Sequence, residues 1–543
     1  MLYATPKDKV LSLLRSQANI AFTVNDIENE SEFSEKTIRK YLEELVREKK
    51  LQAKTEAGTI YYVYEDSGSL FTGEVAPLRA MDMVTEIASK YAYLRDINRI
   101  GLETINDYLT TLDTRDAFDA YLSDMDTQIL RLARSGRGPD DRQRLDGLIK
   151  LDYVMKNGLE IPKLPVICDC PAYQFDDGHP MKIVGTDAST KLEEFQVNFG
   201  FPVYVNVAFS VGAGVMAEYP RTKESRAPEK FLMPRYIRTA AEEYMEDMTP
   251  TIRNDEEGGL GPAQIMGAIF SLENVVHAKV NEDAIVRWSP DVLYKDGPIL
   301  PSHMDYLDFW DPRRAVYSRR AMSKVLAVKS FASANQVSLF GVVKNSRKTL
   351  LSRVIDYALS EKYPDWKRDQ VGMDAHLFSA VLKPGQCTPT IMEKPYFNYV
   401  FDDRVRPEGT RLVNKDEIVK KLGENPSKAY FQQLEDLAFR WSYLKDRLDG
   451  FNRFEFFSDN MLGRPLDKHL ELGLGIGNSL SHEILMTEFG RDIVPHKGSE
   501  TLPEPTAKAH TESGIWRRSV ADSLKMEFMR VFRSLYGSGG VVG

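Results

Sequence analysis

The sequence predicts an α/β protein with a mixed sheet, and the pattern of its second half is the main reason. Strand-like segments rich in valine, phenylalanine and tyrosine begin after residue 161, where "KIVGTDAST" is followed by "FPVYVNVAFSVGAGV". A helix-like segment, "AQIMGAIFSLENVVHAKV", precedes the strand "DVLYKDG", and a helix at about 311–332 precedes the strand "SLFGVVK". Strands that alternate with helices are typical of α/β and mixed-sheet domains.

The composition indicates a large core and no membrane span. The chain has 543 residues, 42% of them hydrophobic, and a formal net charge of −9, which excludes a globally basic nucleic-acid binder but not a local basic groove. No apolar run approaches the ~18 residues of a membrane span, and the charged N-terminus does not resemble a signal peptide. The cysteines Cys168, Cys170 and Cys387 lack the second ligand pair of a zinc site. We therefore expect reduced thiols in a cytoplasmic protein.

The order of patterns predicts four parts. Residues 1–66 resemble a winged helix-turn-helix, with three short helices and a hairpin, but their ten basic and twelve acidic residues leave DNA binding and protein binding equally open. In residues 67–160, repeated apolar spacing predicts a helical arm, which we interpret as a structural or partner-binding element. Residues 161–515 form the predicted α/β domain, and 516–543 a C-terminal helix with a flexible tail.

Three acids stand out because of their positions. Asp187 closes the strand "KIVGTD", Asp296 closes the strand "DVLYKD", and Glu273 lies near the buried face of the helix between them. Ribonuclease-H-like nucleases carry acids in this order, and their first and fourth strands lie side by side. The sequence therefore predicts a ribonuclease-H-like mixed-sheet core. Other acids that could take the place of Glu273 are Glu282, Asp283 and Glu242.

The sequence around Asp296 leaves two interpretations open. In "VLYKDGPIL", Asp-Gly followed by proline is a strong turn signal. The same aspartate, at the end of a core strand, is a candidate metal ligand. We favour the metal ligand because of Asp187, the acid-bearing helix and the basic segment that follows; Gly297 and Pro298 would then bend the chain away and leave the aspartate exposed. In contrast, "GLGIGN" (473–478) lacks a surrounding nucleotide-binding unit and predicts a glycine-rich turn.

Clustered carboxylates have a chemical use in phosphodiester hydrolysis. This reaction needs an activated water and a positive charge on the phosphate, and one or two divalent ions supply both. Hard ions such as Mn²⁺ or Mg²⁺ prefer oxygen ligands. Converging carboxylates repel one another until a cation binds, so the pattern favours a metal site.

A basic segment follows the second strand-end acid. Residues 313–348 contain nine basic residues and no acidic one. Such a segment attracts phosphates and predicts salt-sensitive binding. Lys344 ends the strand "LFGVVK" at the same predicted sheet edge as the two aspartates, where it could contact a phosphate. The predicted DNA-binding residues are Arg313, Arg314, Arg319, Arg320, Lys324 and Lys344.

Over roughly residues 180–515 the chain resembles the NurA nuclease family, on six motifs in the same order. "VGTDAS" resembles the family's first Asp-Gly-Ser motif, with Ala188 in place of glycine, and "VLYKDGPI" resembles its second strand-end Asp-Gly motif. "FGVVKNSRKTLL" is similar to the Gly-Val-Val-Lys segment, and "DAHLFSAVLKPGQCTP" to a later motif, with Gln386 for glutamate. "NRFEFF" resembles the Arg-x-Glu strand, and "LPEPTAKAHTES" the late Pro…Ala-His motif.

The resemblance implies a site and an activity. Asp187, Glu273 and Asp296 would be metal-binding acids, and His510 a further ligand or an acid/base group. Some relatives place a tyrosine shortly before that histidine, but residues 491–509 contain no tyrosine. The role of that tyrosine is therefore unfilled here, or another residue fills it. The resemblance further implies Mn²⁺ (or Mg²⁺), a ring-shaped homodimer around DNA, a HerA-type hexameric translocase as partner, and 5′-to-3′ exonuclease with some single-strand endonuclease activity.

Two functions from different classes follow. The first is a metal-dependent DNA nuclease in DNA end processing, with a partner that supplies the energy for strand movement because no Walker A motif occurs. The second is a winged-helix DNA-binding or adaptor protein whose core has lost catalysis. A third hypothesis, with less support, is a nuclease whose substrate is RNA.

Overall fold

The computed structural model divides the chain into two compact units, residues 1–89 and 90–543. In the first unit the structure describes parts of 7–56 and residues 59–63. In the second unit it describes residues 93–135, 138–198, 202–221, 227–232, 262–300, 312–344, 346, 348–368, 371–394, 437–483, 487–488, 491–492 and 501–536. The predicted alternative Glu242 and the acidic segment 303–311 lie outside the described residues.

The first unit contains a helix and a small antiparallel sheet. Its described elements are β1 (Ala21–Phe22), α1 (Glu35–Arg47), β2 (Gln52–Glu56) and β3 (Thr59–Val63), with the sheet order β1-β3-β2. Helix α1 buries Ile38, Leu42 and Leu45, which recur at the spacing of one helix face. The predicted third helix and hairpin are therefore confirmed; the two helices predicted before them lie largely outside the described residues.

The second unit begins with four helices that pack into its main core. They are α2 (Tyr93–Ile100), α3 (Leu102–Thr111), α4 (Thr114–Ser135) and α5 (Pro139–Asn157). Buried residues such as Ile105, Leu109 and Phe118 belong to the same hydrophobic cluster as residues of the large sheet. From residue 93 onward, the segment predicted as an arm is thus largely helical, and it packs against the α/β core.

The remaining elements alternate strands with helices, as the sequence predicts. In chain order, they are β4 (Leu159–Glu160), β5 (Cys168–Asp169), β6 (Met181–Asn198), β7 (Pro202–Tyr219), β8 (Glu229–Leu232), α6 (Pro262–Trp288), β9 (Val292–Asp296), α7 (Pro312–Ala334), β10 (Ser338–Val343), α8 (Leu350–Lys362), α9 (Asp374–Val381), β11 (Gln386–Cys387), β12 (Ile391–Glu393), β13 (Phe439–Lys445) and β14 (Phe451–Phe457).

Shorter elements complete the chain before a long last helix. They are α10 (Leu466–Leu470), α11 (Ile476–Ser479), β15 (Ser481–Glu483), β16 (Thr487–Glu488), β17 (Arg491–Asp492), β18 (Thr501–Pro503) and α12 (Glu504–Tyr536). The predicted boundary at residue 515 falls inside α12, which is continuous through that position.

The large mixed sheet has a central parallel part. The described strands form an 11-stranded sheet, with the path β4-β12-β13-β14-β10-β9-β6-β7-β8; off this path, β11 pairs with β13, and β5 pairs with β11. Strands β6, β9 and β10 are parallel neighbours, and β7, β8 and β14 pair antiparallel at their flanks. Because parallel strands need a crossover, α6 and α7 occupy the connections, and the mixed α/β class is confirmed.

Each face of the parallel strands has its own core. Leu293 belongs to a cluster with residues of α6, α7 and α8, whereas its neighbours Val292 and Tyr294 belong to a second cluster with residues of α10, α11 and α12. Since successive side chains of a strand point to opposite faces, β9 is buried on both sides. This double burial explains why the strand begins with three apolar or aromatic residues, Val292, Leu293 and Tyr294.

The "GLGIGN" segment is helical, so the predicted glycine-rich turn is wrong. Residues Glu471–Gly475 form a π-helical turn between α10 and α11. A Cβ at Gly473 would lie 2.4 Å from the Phe340 ring, and one at Gly477 would lie 2.7 Å from the Phe454 ring. The glycines therefore allow a helix to approach the sheet closely, a tertiary requirement that the local sequence does not distinguish from a turn.

Candidate metal centre

The two strand-end aspartates lie at the point where the pairing of β6 with β9 stops. The last register pair is Thr186 with Lys295, so Asp187 and Asp296 are the next residues on two parallel neighbouring strands. Asp296 closes β9, as predicted, and Gly297 with φ of 93° turns the chain away. The strand end and the turn are thus confirmed for the backbone of "VLYKDGPIL", and the metal-ligand interpretation stays a prediction. The expectation that the turn leaves Asp296 exposed is wrong, because His510 and Lys344 cover its carboxylate.

The prediction that Asp187 closes its strand is wrong. Strand β6 continues to Asn198 because it forms a long hairpin with β7, whereas its other neighbour, β9, covers only the first part. Asp187 is the first residue of β6 beyond its pairing with β9. A strand end and an end of pairing look alike in sequence, since both follow an apolar run.

Helix α12 brings His510 to these aspartates. A Cβ on Gly185 would lie 2.1 Å from the backbone nitrogen of Thr506, so the helix rests directly on β6 at this glycine. From that contact, two residues along β6 rise about 6.6 Å to Asp187, and four residues along α12 rise about 6 Å to His510. The matched rises place the imidazole beside the carboxylates.

The cluster is compact and largely buried. His510 Nδ1 lies 2.8 Å from Asp296 Oδ2 and 3.3 Å from Asp187 Oδ2. The two aspartates are 6% and 8% exposed. Among the described residues, Asp187, Asp296 and His510 are the one group of three whose potential ligand atoms all lie within 4.8 Å of one another. Three of the four predicted catalytic residues therefore converge.

Lys344 adds a second positive group. Its Nζ donates to Asp296 Oδ2 at 3.0 Å and lies 3.3 Å from His510 Nδ1. Lys344 directly follows β10, the strand beside β9, which brings the ammonium to the same sheet edge. Two carboxylates thus face an imidazole and an ammonium, an arrangement that balances its own charge when the imidazole is protonated.

The contacts shift the protonation of the cluster. Burial alone would lower the pKa of His510, but hydrogen bonds to Asp187 and Asp296 outweigh it and raise that pKa to about 9. Burial alone would raise the pKa of Asp187, but the hydrogen bond and charge of His510 hold it well below the usual range. The His510 imidazolium therefore balances the charge of the carboxylates at neutral pH.

Glu273 lies outside this compact group. It belongs to α6, whose His277 and Asn281 contact the Thr186 hydroxyl at 3.2 and 2.6 Å. Thr186 and Asp187 point to opposite faces of β6, so α6 lies on the other face from His510. Burial and then the charge of Asp187 raise the pKa of Glu273 to about 7, which shows that the carboxyl remains within electrostatic reach of the cluster.

The structure describes only some of the alternatives to Glu273, and only part of the basic segment. Glu282 and Asp283 pair with Lys279 on α6, at 3.1 and 3.4 Å. Lys324 is exposed on α7. Four predicted DNA-binding arginines lie on α7, and the structure describes only their helical backbone: Arg313, Arg314, Arg319 and Arg320.

One contact of the cluster was missed by sequence reasoning. The Ser513 hydroxyl donates to Asp187 Oδ2 and also to the backbone oxygen of His510. It lies three residues after His510, on the same side of α12. A serine at this spacing from a helical histidine was the available signal, and it is weak because serine is common in exposed helices.

The donor set fits a divalent cation. Two carboxylate oxygens and one imidazole nitrogen suit Mn²⁺, and Mg²⁺ accepts the same carboxylates. Because the ligand atoms already lie close together, binding needs proton loss from His510 and displacement of the Lys344 ammonium rather than a rebuilt backbone.

Comparisons with known proteins match the chain to no family model and to no curated protein. Among the described helices, none combines the length and the apolar character needed to cross a membrane.

Proposed function

We propose that this chain is a divalent-metal-dependent DNA nuclease. The observation that carries the proposal is the convergence of Asp187, Asp296 and His510 at one sheet edge, with Lys344 beside them. Buried acids of this kind are costly without a cation or another use. The cluster is accessible at His510, whose side chain is 30% exposed.

The strand order supports a ribonuclease-H-like core. From β6 onward, the second and third strands lie on one side of the first, and the fourth and fifth on the other, in the order β8-β7-β6-β9-β10. The acids lie on the first and fourth strands, as the sequence predicts for such nucleases. This agreement of topology and acid position distinguishes the proposal from one based on a carboxylate cluster alone.

Each residue has a chemical role in the proposed reaction. Asp187, Asp296 and His510 would hold the ion, Mn²⁺ or Mg²⁺, which would polarise a phosphodiester and make water more acidic. Glu273 would take up or release a proton near neutral pH, since its pKa is about 7. The Lys344 ammonium, released from Asp296 on ion binding, would stabilise negative charge on the phosphate.

The proposal extends to partners through the sequence resemblance. It includes DNA bound by Lys324, Lys344 and the arginines of α7, a HerA-type hexameric translocase, and a homodimer. It also includes 5′-to-3′ exonuclease with single-strand endonuclease activity, and a winged-helix-like first unit that contacts DNA or a partner. These features are proposed on the six motifs and the basic segment.

The direct test is cleavage of end-labelled DNA by the purified protein in Mn²⁺, with and without EDTA. We expect cleavage that EDTA abolishes. Asp187→Asn should lower the rate at least about 1000-fold, since it removes a charged ligand and the partner of His510. Asp446→Asn, at another buried aspartate, is the matched control and should retain activity.

The outcomes separate the candidate functions. Full activity of Asp187→Asn would refute the site. DNA binding without cleavage, even with the translocase present, would favour a DNA-binding adaptor. Cleavage of RNA in preference to DNA of the same sequence would identify RNA as the substrate.

A further inference from the structure

The turn that follows Asp296 is held by two buried side chains of opposite charge. Lys295 Nζ donates to the Pro298 carbonyl oxygen at 2.6 Å, and the Ile299 N–H donates to Glu455 Oε2 at 2.8 Å. These are the two polar groups of one peptide unit. The Pro298–Ile299 peptide is therefore bound at both ends, by a lysine of β9 and a glutamate of β14.

The sheet aligns this pair behind the metal centre. Lys295 and Glu455 are both register partners of Gly341 on β10, so the three positions form a row across the sheet on one face. Asp296 follows Lys295 and points to the opposite face. A Cβ at Gly341 would lie 2.7 Å from the Ile299 nitrogen, which shows how closely the turn covers the row.

Arg453 connects the row to the segment after Lys344. Its guanidinium lies 2.5 Å from Glu455 Oε1 and also donates to the Ser346 hydroxyl. The arginine and the glutamate are 5% and 2% exposed. One buried ion pair thus contacts both chain segments that leave the sheet beside the cluster, the turn after Asp296 and the segment after Lys344.

We propose that Lys295 and Glu455 are positioning residues, which clamp the Pro298–Ile299 peptide and thereby hold Asp296 in place for a divalent ion. This proposal rests on the proposed function for its consequence in cleavage. The geometry of the clamp itself is independent of that function. Buried, hydrogen-bonded charges are costly to form and fix a unique arrangement, and groups behind metal ligands commonly tune metal affinity.

The test uses Glu455→Gln and Lys295→Gln in the full-length protein, with Glu393→Gln as the control. Glu393 is a buried acid of β12 that accepts from Trp441 Nε1 at 2.8 Å and pairs with Lys348, so it matches Glu455 in burial and pairing. Thermal unfolding of all three variants gives the purely structural cost. A second variant at the lysine keeps the test valid where the Glu455 change alone prevents folding.

Two measurements distinguish positioning from general destabilisation. In metal-free protein, amide hydrogen exchange in residues 292–300 should become at least about tenfold faster in both clamp variants and stay unchanged in Glu393→Gln. Titration with Mn²⁺ alone should show about ten- to hundredfold weaker binding in the clamp variants. DNA binding in EDTA should stay unchanged.

The results also separate this inference from the proposed function. Unchanged exchange in 292–300, or Mn²⁺ affinity that follows thermal stability equally in all three variants, would overturn the clamp. If the unaltered protein binds Mn²⁺ but does not cleave DNA, the nuclease proposal fails while the exchange and Mn²⁺ titrations still decide the clamp. If it binds no Mn²⁺, the proposed role in metal binding is refuted as well.

Discussion

His510 is the residue whose charge and burial matter most for the proposed metal site. Its imidazole lies between two carboxylates and has a pKa of about 9. A proton on Nδ1 thus stabilises the cluster, and it would compete with the proposed metal ion for the same nitrogen. Metal binding and folding stability must therefore respond to pH in opposite directions.

In EDTA, the folding stability of the protein should depend on the protonation of His510. The folded pKa of His510 exceeds the ordinary value of 6.5, so its contribution is fully present below pH 6.5 and is lost as pH rises through 9. We expect the free energy of unfolding to fall by about 2 kcal/mol over this window, after allowance for partial exposure of the ring. Denaturant titrations at several pH values measure it.

His510→Gln should remove this pH-dependent loss, whereas His482→Gln, at an exposed histidine of β15, should retain it. Glu273 should also make the free energy of unfolding fall as pH rises, but between about pH 4.5 and 7, because its raised pKa makes the folded state favour the protonated carboxyl. A decline of the same size in His510→Gln and in the unaltered protein would contradict the assignment.

At the scale of elements, the contact between α12 and β6 decides the geometry of the site. The helix approaches the strand so closely at Gly185 that no side chain fits between them. Gly341 and Gly473 also allow close packing, against the Ile299 backbone and the Phe340 ring respectively. Glycines in these strands and helices are therefore required by tertiary contacts rather than by turns.

Gly185→Ala tests that contact. The added methyl group would meet backbone atoms of Pro505 and Thr506, so α12 must shift and carry His510 away from the aspartates. We expect a loss of about 1–3 kcal/mol of stability together with at least about tenfold weaker Mn²⁺ binding. Calorimetry and Mn²⁺ titration measure the two effects.

Gly212→Ala is the matched control for this substitution. Its methyl group would meet the Val280 side chain of α6, on the other face of the sheet, at 2.1 Å. It should destabilise the protein by a similar amount and leave Mn²⁺ affinity unchanged. Equal losses of affinity in both variants would show that overpacking, rather than the position of α12, is responsible.

For the whole molecule, the main electrostatic feature is a basic segment in an acidic chain. The net charge is −9, and residues 313–348 contain no acid. Long-range attraction of DNA by the whole protein is therefore unfavourable, and the proposed DNA binding would depend on where the basic residues are concentrated.

This distribution predicts strongly salt-dependent DNA binding that α7 dominates. Lys324→Glu, at an exposed position of α7, should weaken binding in EDTA by about three- to tenfold at low salt and reduce the salt dependence. Lys468→Glu, at an exposed position of α10, reverses the same charge elsewhere and should change affinity little. Fluorescence anisotropy over a range of salt concentrations compares them; equal effects of the two changes would exclude α7 as the DNA-binding surface.

Sequence patterns were sufficient for the local elements and for several site residues. The apolar spacing of "AQIMGAIFSLENVVHAKV" predicts α6, and the run "DVLYKD" predicts β9 with Asp296 at its end, because each pattern depends on neighbours in the chain. Conversely, the same patterns wrongly predict Asp187 at a strand end and "GLGIGN" as a turn. Both errors concern partners that are distant in sequence, β7 in the first case and two phenylalanine rings in the second.

The candidate site itself required the tertiary structure. Asp187 and Asp296 meet because β6 and β9 pair in parallel up to Thr186 and Lys295, and His510 joins them because α12 contacts Gly185. Residue types and spacing suggest these acids but do not set the register between strands 109 residues apart or the approach of a helix more than 300 residues later. Side-chain patterns encode local conformation, whereas the distances within the cluster depend on long-range packing, in which each contact is possible only after the others have formed.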